Sequence, residues 1–134
     1  MIEFRVDGLP VPQGSMKVIQ GRVIHSQGSA LAHWRASIAL AARRVGAKPS
    51  REPITMSLTF IMPKPKTVKR NSPSVAPDLD KLIRGALDAL TAIAYVDDGQ
   101  VVEIYAKKIY GEEIGVHIKL SEFVSVWQDS QNIF

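Results

Sequence analysis

The chain has 134 residues, no cysteine and a formal net charge of +4. This length predicts one domain with a hydrophobic core. The lack of cysteine excludes disulfides and thiolate chemistry and is consistent with a reducing cytoplasm. No secretory signal pattern opens the chain, and no apolar run reaches the roughly 20 residues of a membrane helix, so we expect a cytoplasmic protein with no membrane partner.

The first half of the chain predicts a strand, a hairpin, a helix and a second strand, at residues 2–7, 17–24, 30–45 and 54–60. Both strands alternate apolar and polar side chains, as half-buried strands do. The hairpin would turn at Gln20-Gly21. Ser29 stands where the helix should begin and is a favoured N-cap residue.

Residues 63–77 predict a flexible basic loop, because prolines at four positions exclude regular structure. Residues 43–70 hold eight basic residues against one acidic residue, a net charge of +7, whereas residues 78–134 carry −5. Such a basic segment suits a polyanion such as DNA, on which the loop would order. An ordinary solvated surface and a plain linker would explain the same composition. The loop cations are Lys64, Lys66, Lys69 and Arg70.

Residues 78–90 predict an amphipathic helix, since apolar residues recur at helical spacing from Leu79 to Leu90. Asp78 and Asp80 lie at its start, and Asp98 follows its far end. One explanation is structural: an acid here caps the helix or complements its dipole. The other is a metal site, since three gathered carboxylates need a cation and suit Mg²⁺ or Mn²⁺. A strand entering at 101 would bring Asp98 back beside the other two.

The chain then predicts two more strands, over 101–110 and 116–120, with Val102, Ile104 and Ala106 facing inward. This order of elements predicts an α+β domain: a mixed sheet with two main helices packed on it. No glycine-rich phosphate loop or Ser/His/Asp set occurs, so no small-molecule cofactor is expected.

Three motifs resemble one known family. They are Pro77-Asp78-Leu79-Asp80-Lys81-Leu82, Asp88-Ala89-Leu90 and Tyr95-Val96-Asp97-Asp98-Gly99-Gln100-Val101-Val102. Together they resemble the signature of the RusA family of Holliday-junction resolvases, and the run from Gly8 to Lys17 with Trp34-Arg35 resembles phage-borne members. The similarity covers most of residues 4–110. It implies one RusA-like endonuclease domain over 1–134, a homodimer, and a nucleoid-associated enzyme of a bacterial or phage-infected cell.

The resemblance also implies roles for particular residues. Asp78, Asp80 and Asp98 would be the catalytic acids and metal ligands. Arg84 stands where the family's type member has a functional lysine, and Lys81 stands where asparagine is usual. Both keep or add positive charge, although a fixed guanidinium cannot replace a titratable amine. Further DNA contacts would come from Lys17, Lys81 and Lys108, together with the loop cations.

The function expected from these features is Mg²⁺-dependent resolution of Holliday junctions by paired phosphodiester hydrolysis, with Mn²⁺ as the other candidate metal. Two matched cuts suit a two-fold dimer. Two alternatives stay open: a non-catalytic protein that binds branched DNA, and a nuclease that acts mainly on other branched phage DNA.

Overall fold

The computed structural model describes residues 1–14, 16–19, 22–25 and 28–125. Within 16–19 and 22–25 only the backbone is described. Within these ranges six strands and two α-helices follow one another: β1 Ile2–Asp7, β2 Met16–Ile19, β3 Arg22–His25, α1 Gly28–Arg44, β4 Ile54–Met62, α2 Leu79–Leu90, β5 Val101–Tyr110 and β6 Gly115–Glu122. A short 3₁₀ turn, Asp98–Gln100, leads directly into β5.

The main sheet has the strand order β1-β6-β4-β5. β4 and β5 are parallel, from Ile54 opposite Val101 to Met62 opposite Tyr110, while β6 is antiparallel to both β1 and β4. Parallel neighbours need a crossover connection, and here the basic loop and α2 supply it. α2 therefore starts at the carboxyl end of the parallel pair and returns to the amino end. β2 and β3 form a separate antiparallel hairpin.

β4 is the centre of the core. Its side chains alternate strictly between buried and half-buried, and the buried set is Ile54, Met56, Leu58, Phe60 and Met62. The apolar stripes of both helices join these residues in one cluster, with Trp34 and Ile38 from α1 and Leu82 and Leu90 from α2. Burying each large apolar side chain is worth about 1.5–3 kcal/mol, so this packing holds both helices against the sheet.

The predicted fold class is confirmed: one α+β domain with a mixed sheet and two helices. Both helices, the four sheet strands and the two strands of the hairpin lie where the sequence predicts them. The predicted turn at Gln20-Gly21 lies outside the described residues. α1 begins one residue before Ser29, so Ser29 lies inside the helix. In the part of the chain that is described, no helix is long and apolar enough to cross a membrane.

The prediction that Val102 faces inward is wrong. The register of β4 and β5 shifts after the first pair, so Glu103 is opposite Thr55 and Val102 is left without a partner in β4. This bulge leaves Val102 exposed. Ile104 also keeps more than a third of its surface exposed, whereas Ala106 is half-buried.

Candidate active site

The start of α2 presents two carboxylates. Asp78 occupies the N-cap position with extended backbone angles, φ −69° and ψ 139°, yet its side chain makes no capping hydrogen bond. Its carboxylate lies 3.4 Å from Lys81 Nζ instead. Asp80 is exposed in the first turn. A structural capping role therefore does not explain the Asp78 side chain, which stays at the surface two residues before Asp80.

Lys108 fixes the backbone that leads into this site. From β5 its ammonium group donates hydrogen bonds to the carbonyl oxygens of Val75 and Pro77, both at 2.8 Å. Pro77 follows a cis peptide bond and directly precedes Asp78. The charge of Lys108 is thus engaged by the protein's own backbone, and Lys108 positions the segment from which Asp78 projects.

The N-terminal loop crosses α2 one turn beyond the carboxylates. The Gln13 amide donates to the carbonyl of Lys81 at 3.0 Å, and the Gln13 side chain donates to the Asp88 carboxylate. A Cβ at Gly85 would lie 3.4 Å from the Val11 carbonyl, so glycine permits this close crossing. No local pattern predicts the Gln13–Asp88 contact, because its partners are 75 residues apart.

The basic loop ends at the same edge of the sheet. Residues 63–77 contain no helix or strand, as predicted, and the four loop cations are exposed. Arg70 Nε donates to the Tyr110 hydroxyl at 2.9 Å, and Lys64 Nζ lies 5.8 Å from the centroid of the same ring. Tyr110 is the last residue of β5. Two of the loop cations therefore lie at the end of the sheet where α2 begins.

The two consecutive acids after α2 differ in environment. The Asp97 carboxylate accepts a hydrogen bond from the Gly99 amide at 2.9 Å, while the Gln100 side chain accepts from the Asp97 amide at 2.9 Å. This reciprocal capping box holds the 3₁₀ turn. Asp98 is exposed, and its carboxylate has no hydrogen bond or ion pair within the described residues. Asp97 is thus structural and Asp98 is available. The spacing of Asp97 and Gln100 in the sequence is the signal that could have identified the capping box.

Tyr95 joins this turn to the end of α2. Its ring is fully buried, and its hydroxyl donates to the carbonyl of Leu87 at 2.5 Å. Burial raises the pKa of Tyr95 well above its usual range, and the charges of Asp98, Asp88 and Asp97 raise this pKa further. The turn that carries Asp98 therefore packs against the C-terminal end of α2.

Asp98 consequently lies at the opposite end of α2 from Asp78 and Asp80. Lys108, which contacts the start of α2, is opposite Phe60 near the end of β4, whereas Asp98 precedes the first pair of the two strands. The 12 residues of α2 span about 18 Å. Across the described ranges, no three His, Cys, Asp or Glu side chains form a group that could hold a metal ion. The prediction that β5 returns Asp98 beside the other two does not hold within one chain, because β5 runs parallel to β4.

The donor chemistry at the start of α2 still suits a hard divalent cation. Asp78 and Asp80 supply exposed carboxylate oxygens, which Mg²⁺ and Mn²⁺ prefer. One chain therefore supplies two of the three predicted carboxylates at this place, and the third, Asp98, lies elsewhere. Arg84 is exposed one turn after Asp80, and Lys81 is half-buried beside Asp78. Lys17 lies in β2, where side chains are outside the described part.

The chain matches the family model described as "Endodeoxyribonuclease RusA" over residues 7–121. It is also similar to the "Uncharacterized protein YqaN" of Bacillus subtilis (strain 168), with 29% identity over 138 residues. That alignment covers 90% of this chain and 96% of the Bacillus protein.

Proposed function

Since the chain belongs to the RusA family of endodeoxyribonucleases, we propose that it resolves four-way DNA junctions by metal-dependent hydrolysis of paired phosphodiesters. The observation that carries this proposal is the pair Asp78 and Asp80, exposed at the edge of the sheet where the basic loop also ends. Acids alone would repel DNA, whereas acids that hold a cation beside loop lysines can receive a phosphate.

Asp78 and Asp80 would hold the metal, with Mg²⁺ as the first choice and Mn²⁺ as the second. When bound there, such a metal would supply an activated water for in-line attack and would neutralise charge on the leaving oxygen. Lys81 orients the Asp78 carboxylate through its 3.4 Å contact. Arg84 adds a fixed positive charge on the same helix, and Lys108 positions the backbone before Asp78. Lys64, Lys66, Lys69 and Arg70 would bind backbone phosphates.

The third carboxylate would come from a second copy of the chain. One copy keeps Asp98 about a helix length away from Asp78 and Asp80, so it cannot complete the set alone. In a two-fold dimer, Asp98 of each copy can approach the carboxylate pair of the other, which creates two equal sites. Two equal sites related by a two-fold axis match a substrate that needs two symmetrical cuts.

Cleavage of an immobile four-way junction, with and without Mg²⁺, tests the proposed activity. Asp80→Asn should lose cutting but keep junction binding, because it removes a metal ligand and a repulsive charge. The control Glu122→Gln removes an exposed carboxylate from the end of β6 and should cut normally. Cutting by Asp80→Asn at the wild-type rate would refute the catalytic assignment. A preference for linear duplex over junctions, forks and flaps would refute the substrate assignment.

Co-expression of two inactive variants tests the shared site. A dimer of one Asp80→Asn copy and one Asp98→Asn copy should carry both changes in one site and leave the other site intact. We expect the mixture to nick one strand of the junction, although each variant alone is inactive. If all three carboxylates act within one chain, the mixture stays inactive.

A further inference from the structure

β5 forms an outer edge of the sheet. It pairs with β4 on one side, and no strand in the described ranges pairs with its other side. At ten residues it is the longest of the strands described above, whereas β1 at the opposite edge has six. Natural proteins usually shorten or cover such edges, because unpaired backbone amides and carbonyls readily pair with another chain.

The side chains of β5 are unusually apolar for an edge that faces solvent. The exposed fractions are 56% for Val102, 38% for Ile104, 61% for Tyr105 and 39% for Ile109. A long edge with exposed apolar side chains is typical of a surface that another strand covers.

The charges along β5 indicate that the strand covering it is the β5 of a second copy. Glu103 lies near the start and Lys107 near the end, each two residues from Tyr105. If a second β5 pairs in antiparallel orientation with Tyr105 on the two-fold axis, Glu103 of each copy lies opposite Lys107 of the other. Opposite charges directly across an antiparallel pair are stabilising, and like charges are destabilising. Any parallel self-pairing in register would instead place Glu103 opposite Glu103.

The charged pair is also in the right place to meet. Glu103 and Lys107 are opposite Thr55 and Thr59, which lie on the face of β4 away from the buried residues. The Glu103 carboxylate is oriented by the Thr55 hydroxyl at 2.9 Å and the Tyr105 hydroxyl at 3.1 Å. Lys107 is exposed, and no ion pair engages it within the described residues.

We propose that β5 is the dimer surface, where two copies pair antiparallel about Tyr105 and join their four-stranded sheets into one. This inference deepens the proposed function, since it names the surface of the two-fold dimer on which the shared site rests. The pairing places Val102 of one copy opposite Lys108 of the other. Asp98 precedes the start of β5. In this pairing the start of one β5 therefore lies near the carboxyl end of the partner's β5, where the partner's α2 begins.

Cysteine cross-linking tests the register. The chain has no cysteine, so Tyr105→Cys introduces a single thiol. Directly opposite residues have Cβ atoms about 4.5–5.5 Å apart, near disulfide reach. Oxidised Tyr105→Cys should therefore form a covalent dimer. The control Val102→Cys is equally exposed but lies six positions from its own counterpart, about 20 Å at 3.4 Å per residue, and should not link.

Sedimentation of charge variants without DNA tests the surface independently of nuclease activity. Glu103→Lys and Lys107→Glu should each weaken dimerisation on the order of tenfold, because each creates two like-charge contacts. An equimolar mixture of the two variants should restore a tight mixed dimer. Asp80→Asn should remain dimeric even if it, or the wild type, cuts no junction.

Three results would overturn the proposed surface: a monomeric wild-type protein, links from Val102→Cys instead of Tyr105→Cys, or a mixture of charge variants that stays dissociated. A chain whose own residues 126–134 cover β5 would be monomeric and would give no link.

Discussion

Replacement of Lys108 by methionine distinguishes between two possible roles of this side chain, binding of a DNA phosphate and positioning of the backbone before Asp78. The methionine keeps an unbranched stem but removes the ammonium group that donates to the Val75 and Pro77 carbonyls. If Lys108 positions the backbone before Asp78, the variant should lose stability and cutting while its contacts with DNA phosphates stay the same. If Lys108 instead neutralises a phosphate, the salt dependence of binding should change.

The structure sets the size of the stability effect. A hydrogen bond from a charged donor is worth about 1.5–3 kcal/mol when buried, and here one of the two bonds is solvent-exposed and the other only partly buried. We therefore expect Lys108→Met to cost about 1–3 kcal/mol for the pair together. For a chain of this length each kcal/mol lowers Tm by about 3–5 °C, so we expect a fall of about 3–15 °C.

Junction binding measured across a salt series provides the decisive assay. Each phosphate contact contributes about 0.9 to the slope of log K against log salt concentration. Lys69→Met is the matched control, because Lys69 is exposed in the basic loop. It should lower the slope by about 0.9 without changing Tm. Lys108→Met should lower Tm and the cleavage rate but not the slope. A lower slope with an unchanged Tm at Lys108 would refute the positioning role.

Two further predictions concern the turn after α2. Tyr95→Phe should cost about 1 kcal/mol near neutral pH, since it removes the hydrogen bond to Leu87. Folding raises the pKa of Tyr95, so the folded protein keeps the phenol proton above about pH 10, where the unfolded chain loses it. The stability of the wild type should therefore fall faster above this pH than the stability of Tyr95→Phe. Parallel denaturation curves at several pH values would check this. Asp97→Ala should lower stability by about 1 kcal/mol through loss of the cap, whereas Asp98→Asn should keep the wild-type Tm and lose cleavage. Equal Tm values for the two Asp variants would contradict the division of roles.

Local periodicity was sufficient to predict the elements of this fold. β4 buries every second residue, and α2 buries one stripe, so each pattern reports directly which side chains face the core. The location of the acids at the start of α2 could also be predicted, because local composition marks where a helix begins. Such features depend on residues that are close together in the chain.

Contacts between distant segments had no such signal. The crossing of Gln13 over α2 depends on a glycine, Gly85, whose role becomes visible only when the Val11 carbonyl is found beside it. The exposure of Val102 depends on a register shift against β4, which alternation within β5 cannot report. The capping role of Gln100 was, by contrast, available from its spacing to Asp97.

The position of Asp98 was also open to a sequence argument. A strand, a helix and a strand in succession usually form a parallel crossover, and the helix then returns the chain to the amino end of the first strand. Applied to 54–62, 79–90 and 101–110, this rule separates Asp98 from Asp78 and Asp80 by the length of the helix. The carboxylates can then act together only if a second copy supplies one of them. The same topology that divides the site within one chain leaves β5 at the edge of the sheet, where a second copy can pair.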